Sequence, residues 1–205
     1  MSRLRLIAGP NGSGKSSVFQ IIKDFKESGK VISTGPFINS DEIEKELADN
    51  GQIELAKYGI TEAPASIVDD YLKISTFSGQ YDPNILSKLI EASNNCLKLR
   101  GGESSPFLGM MLSDLVREYL LIHGESFTME TVFSHPEKLN LMRRANELGY
   151  KVYLYFVSTE SPEINIQRVK GRVAAGGHNV PVDKIVSRYE RTMDNLYEAV
   201  KLSYR

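Results

Sequence analysis

Cysteine is nearly absent from this chain: Cys96 is the only one in 205 residues. A lone thiol excludes a disulfide framework and a cysteine-based zinc site, and it fits a reducing compartment. Cys96 lies in the helical-looking run Ile85 to Leu99, where a buried structural thiol is expected. Net charge is lacking too. Lys+Arg 25 against Asp+Glu 26 gives −1, so no overall field recruits nucleic acid, and none is expected as a partner. No apolar run approaches membrane-spanning length. No linker divides the chain, so a single domain over residues 1–205 is expected. A glycine-rich motif starts at residue 9 and leaves no room for a signal peptide, so a cytoplasmic protein is expected, with no membrane association.

That motif is what the chain does have. Residues 9–16 read Gly9-Pro10-Asn11-Gly12-Ser13-Gly14-Lys15-Ser16, a complete G-x-x-x-x-G-K-[ST] loop. The short apolar run Leu4–Ala8 precedes it, and a helical-looking segment opens at Ser17. Strand, glycine turn and helix in that order aim several backbone N–H groups at one spot, with the positive end of the helix behind them. Lys15 can then reach the β- and γ-phosphates of ATP, and the Ser16 hydroxyl is placed for Mg²⁺. Residues 9–17 are the expected nucleotide cradle, with Ser16 as the metal ligand.

Four strands are expected, at Leu4–Ala8, Pro36–Asn39, Phe127–Val132 and Val152–Val157. They are short and nearly continuous in hydrophobicity, as buried parallel strands are. Helical segments separate them, which predicts an α/β fold: a three-layer P-loop NTPase with a mostly parallel sheet. Asp82-Pro83, Ser105-Pro106 and Ser161-Pro162 each place a capping residue before a first-turn proline. Ser134-His135-Pro136-Glu137 has the form of a capping box, and Gly149 stands where that helix should stop. Residues 42–124 read as mostly helical, split by Gly101-Gly102, an insertion between strands two and three. It forms either a substrate-side cap or padding behind the sheet.

Ligands of open α/β sheets bind at the carboxyl ends of the strands, so the residues just after each strand matter most. Asp41 follows the second strand. It is either a base facing an acceptor hydroxyl or a first-turn acid stabilised by its helix dipole. Glu130 and Thr131 close the third strand. Glu130 is a candidate to hold Mg²⁺ through water, to accept substrate hydroxyls, or merely to cap a loop. Arg168 and Arg172 are four apart on one helical face and suit phosphate oxygens. With the hinge Gly176-Gly177 they read as a lid over about 161–180, the alternative being a solvated basic face. His178 either contacts a phosphate or substrate, or caps the turn before Pro181. Arg188 and Arg191 either face the same cleft or are solvated.

Taken together, these pieces resemble the zeta-toxin family of P-loop kinases, whose shorter members are often labelled predicted ABC-type ATPases. The resemblance rests on the loop at 9–16, Phe37-Ile38-Asn39-Ser40-Asp41 and Met129-Glu130-Thr131. It continues through Ser161-Pro162-Glu163, Gln167-Arg168-Val169, Gly176-Gly177-His178, Val180-Pro181 and Arg188-Tyr189-Glu190-Arg191. It covers 1–50 and 125–200 well and the middle poorly. It implies ATP and Mg²⁺ at Lys15 and Ser16, and Asp41 as the base on an acceptor hydroxyl. It implies substrate contacts from Glu130 and Thr131, and Arg168 or Arg172 acting on the phosphates. It also implies phosphorylation of a nucleotide sugar such as UDP-N-acetylglucosamine, a possible antitoxin partner, and one more strand beyond Arg205. The chain departs from the pattern where His178 stands in place of a second lid arginine, and in its middle helices.

Four rivals stand beside this reading, and a motor or switch NTPase among them would need an acid pair or a water-positioning glutamine near strand three, where only Glu130 stands. An ABC-type ATPase would use Phe77-Ser78-Gly79-Gln80 as its signature, but no apolar run ending in Asp-Glu follows. A nucleotide-binding regulator would have no use for Asp41 as a base. Small-molecule kinases for antibiotics or sugar acids differ only in the acceptor pocket.

Overall fold

Leu4, Leu6, Ile7 and Ala8 have no exposed surface, and a strand sealed on both faces belongs in the middle of a sheet. The computed structural model describes residues 1–27, 29–31, 33–74 and 85–205. In chain order the elements begin β1 (Arg3–Ala8), α1 (Lys15–Asp24), β2 (Lys26–Glu27), β3 (Lys30–Val31), β4 (Phe37–Ile38) and α2 (Ser40–Asn50). There follow β5 (Gln52–Glu54), α3 (Ile67–Ile74), α4 (Ile85–Leu89), β6 (Ile90–Ser93), β7 (Cys96–Leu99) and α5 (Pro106–Ile122). The last are β8 (Phe127–Thr131), α6 (Glu137–Glu147), β9 (Lys151–Phe156), α7 (Pro162–Ala174) and α8 (Val182–Leu202). Two compact units result, residues 1–34 with 126–205, and residues 35–125.

In the first unit β1 lies between β8 and β9, and both pairings are parallel. The register sets Ile7 beside Glu130 and Ala8 beside Thr131 and Phe156. All three strands therefore end at the same level as the glycine loop. This is the α/β architecture expected, a mostly parallel sheet with flanking helices. After α6, Gly149 takes φ +79°, and the Tyr150 N–H donates to the Ala145 carbonyl at 2.9 Å, the closure of a helix that stops on glycine. Ser203 leaves α8 extended. The Tyr204 N–H donates to Val152 O, and the Arg205 carbonyl accepts from the Leu154 N–H, so the chain end runs along the edge of β9. Among the described residues no helix is long and apolar enough to cross a membrane.

The second unit departs from the helical block expected over 42–124. It contains an antiparallel sheet in the order β5-β7-β6. Asn94 and Asn95, at φ +51° and +57°, form the two-residue turn that joins β6 to β7, the conformation asparagine tolerates in hairpins. The Asn95 amide then donates to Ile60 O at 2.7 Å and accepts from the Ala63 N–H at 2.9 Å. Cys96 is consequently half-buried on a hairpin strand, not enclosed in a helix. The helical-looking run Ile85 to Leu99 thus breaks after Leu89 into the two strands of this hairpin. The capping box also fails. Pro136 occupies the cap position of α6 with no side-chain cap, and His135 Nδ1 accepts the Glu137 N–H at 3.3 Å. Ser105 does cap α5, accepting from the Leu108 N–H, with proline in the first turn. Asp82-Pro83 and Phe77–Gln80 lie outside the described residues.

One buried polar group braces this unit. Tyr71 donates from its hydroxyl to Asp114 at 2.9 Å, and Arg117 pairs with both Asp114 and Glu118. Burial opposes the Arg117 charge, but Asp114 and Glu118 outweigh it and hold the guanidinium firmly protonated. Asp114→Ala should cost about 3–5 kcal/mol, because it strips a partner from a buried cation. Tyr71→Phe should cost only about 1 kcal/mol, since Asp114 keeps its arginine. Urea titration of both variants checks the ordering.

Candidate functional site

The glycine loop is shaped by close backbone contact. A Cβ on Gly9 would fall 1.9 Å from the Val157 carbonyl oxygen, and one on Gly12 would fall 2.7 Å from that of Asn165. Both residues have positive φ, +151° and +76°, which side chains resist. Only glycine lets the loop lie against the end of β9 and the first turns of α7. Gly14 is the cap residue of α1, and its carbonyl accepts the Val18 N–H at 3.1 Å. The helix therefore opens directly at the loop, with its positive end toward it.

Lys15 is buried, and its Nζ donates to the Pro10 carbonyl at 3.0 Å, curling the side chain back over the loop. The Lys15 ammonium lies 4.0 Å from Glu130 Oε1. Ser16 donates from its hydroxyl to Glu130 Oε2 at 3.0 Å. A hydroxyl and a carboxylate at one point form the hard-oxygen set that Mg²⁺ prefers, so these residues fit the metal that such a loop implies. Thr131 serves through its backbone and side chain locally: its carbonyl accepts the Gly9 N–H at 3.3 Å, and its Oγ1 accepts the Phe133 N–H.

The two lid arginines separate. Arg168 Nη1 donates to the Ser13 carbonyl at 3.1 Å, which brings it onto the loop. Arg172 Nη2 donates to the His178 carbonyl at 2.7 Å and so braces the turn at Gly176-Gly177. His178 itself is exposed. Arg188, from α8, reaches Asn11 Oδ1 at 3.4 Å, while Arg191 is exposed. Asp41 lies in the second unit. It is exposed in the first turn of α2, and its backbone N–H is capped by Asn39 Oδ1 at 2.9 Å.

Sequence reading missed Asn165 and Thr159. Asn165 is fully buried under Gly12, and Thr159 Oγ1 lies 2.6 Å from its amide oxygen and 3.1 Å from Ser161 O. A hydroxyl has one proton to give. Turning the amide so that its NH₂ faces Thr159 lets Thr159 donate to Ser161, and it supplies a partner for the Asn165 nitrogen, which otherwise has none. No sequence motif marks this pair; only the closeness of α7 to the loop does.

A parallel sheet ending at a glycine loop, with lysine and serine opening a helix beside a strand-end acid, defines a P-loop nucleotide-binding fold. The zeta toxin family model matches residues 105–204, so this stretch of the chain is similar to the zeta toxin family. A curated relative, an uncharacterized protein of Haemophilus influenzae (strain ATCC 51907 / DSM 11121 / KW20 / Rd), is 36% identical over 63 residues. Those residues make up 31% of this chain and 45% of that protein, so the chain spans less than half of its relative.

Because the Gly12 contact is backbone to backbone, Gly12→Ala should cost about 1–3 kcal/mol through strain at positive φ alone. The α7 amides should lose hydrogen-exchange protection at the same time, which separates displacement of α7 from a general loosening.

Proposed function

We propose that this protein is an ATP-dependent small-molecule kinase that transfers the γ-phosphoryl group to an alcohol hydroxyl. The observation that carries this reading is the Ser16–Glu130 pair, set beside Lys15 on the loop that opens α1. Ser16 and Glu130 would hold Mg²⁺, and the ion, when bound, supplies positive charge against the phosphate oxygens. Lys15 binds the polyphosphate. Arg168 is the better placed of the two lid arginines, since Arg172 is engaged by His178. In the transfer step the acceptor oxygen forms a bond to the γ-phosphorus, the bond to the β-phosphate oxygen breaks, and ADP leaves. Asp41 takes the acceptor proton. A nucleotide sugar such as UDP-N-acetylglucosamine is the first acceptor to try, on the strength of the family.

Incubation with ATP·Mg²⁺ and pooled metabolites, nucleotide sugars included, reads the acceptor directly as the species that gains a phosphoryl group. ATP hydrolysis with no phosphorylated product would favour an ATPase or regulator instead. Lys15→Ala should abolish turnover and remove the rise in melting temperature that ATP·Mg²⁺ gives the parent. Asp41→Asn should slow transfer by roughly 10²–10⁴-fold while ATP still binds. Lost affinity with an unchanged transfer rate would return Asp41 to the role of a first-turn acid.

A further inference from the structure

One face of α8 is stitched to the strand ends around the glycine loop. Tyr189 donates from its hydroxyl to the Thr159 carbonyl at 2.7 Å. Thr192 donates from Oγ1 to Val132 O at 2.8 Å, and Asn195 from its amide to Phe133 O at 3.0 Å. Phe133 is buried at φ +62°, a conformation bulky residues avoid, and its carbonyl is held in place by Asn195. Residues 189, 192 and 195 follow helical spacing, so they share a face with 188. The helix is thus anchored beyond both β8 and β9, and Arg188 is the next residue of that face toward the loop.

Arg188 places Nη1 on Asn11 at 3.4 Å, and Arg168 arrives on Ser13 at 3.1 Å from α7. Neither arginine has an acidic partner among the described residues, and each uses one donor on the loop. A guanidinium carries five N–H donors in a planar fork suited to phosphate oxygens. We propose that Arg188 is a polyphosphate-binding residue, the second guanidinium of the site, supplied by α8 and aimed by its polar face. Lys15, Arg168 and Arg188 set against Glu130 leave the loop with excess positive charge, as a bound triphosphate requires.

The inference rests on the nucleotide reading, so the test measures binding as well as turnover. Dissociation constants for ATP·Mg²⁺ are taken by titration calorimetry on the parent and on Arg188→Ala, Arg188→Lys, Asn11→Ala and Arg191→Ala. Arg188→Ala should weaken ATP·Mg²⁺ by roughly 10–100-fold, the loss of charge-assisted hydrogen bonds. Lysine should recover part of this, because it keeps the charge without the fork. Arg191→Ala, exposed on the same helix, should bind as the parent does. Asn11→Ala removes the tie but spares the guanidinium, so it should cost less than Arg188→Ala. Equal losses in those two variants, with a variant carrying both Arg188→Ala and Asn11→Ala no worse than either, would make Arg188 a brace for Asn11 and overturn the proposal. Parental affinity in Arg188→Ala would overturn it as well. A parent that binds no ATP·Mg²⁺ would instead sink the nucleotide reading itself. If Arg188→Ala melts well below the parent, Arg188→Lys decides: affinity below the parent's in a stable lysine variant supports the need for the fork, and parental affinity refutes it.

Discussion

The absence of a side chain at Gly9 and Gly12 is the constraint on which the rest of the site depends. Without a Cβ, the loop backbone sits against the carbonyls of Val157 and Asn165. That contact fixes the loop by the end of β9 and by α7, and not by its own hydrogen bonds alone. Lys15 then folds back onto Pro10 and Ser16 onto Glu130, so the charged groups are held before any ligand arrives. Preorganisation of this kind lowers the entropy lost on binding.

Close backbone contact has a cost in buried polar groups, and the chain meets it with side-chain donors, most of them hydroxyls and amides. Thr128 and Arg5 both donate to the Thr34 carbonyl, at 2.6 and 3.3 Å. Thr159, Tyr189, Thr192 and Asn195 do the same for strand-end and loop carbonyls around the site. A buried carbonyl left without a donor costs about 1–3 kcal/mol. These side chains therefore stabilise the irregular backbone that a ligand-binding loop needs, Tyr189, Thr192 and Asn195 doing so from one helix.

What could be read from the sequence follows the range of the interactions involved. The loop, β1, β8, β9, the Ser105 cap and the Gly149 stop are local signals, each set by a few adjacent residues. The meeting of Glu130 with Ser16 was legible because strand ends in a parallel sheet converge by topology. The antiparallel sheet of the second unit was not. Its strands are three or four residues long, and their apolar positions fit a helix nearly as well as a strand. Asn94-Asn95 was the signal that went unread. Nor could spacing separate Arg168 from Arg172, which share a helical face; the turn back at Gly177 decides it by offering the His178 carbonyl to one and not the other. The polar face of α8 escaped because its partners are main-chain carbonyls, which leave no trace in a sequence.

The two lines of support for a nucleotide-dependent enzyme are independent of each other. The glycine loop at 9–16 lies wholly outside the stretch that matches the zeta toxin family, which begins at 105. The loop speaks for nucleotide through its own geometry, and the matched stretch speaks for the family through β8, β9, α7 and α8. Side-chain hydrogen bonds join them: Ser16 to Glu130, Arg168 to Ser13, and Arg188 to Asn11. Each links a loop residue to one from the matched stretch, and each brings a charged side chain to the loop. Had the family match reflected only a shared helical scaffold, these charged groups would have had no reason to converge there. The convergence makes one site out of two separate observations.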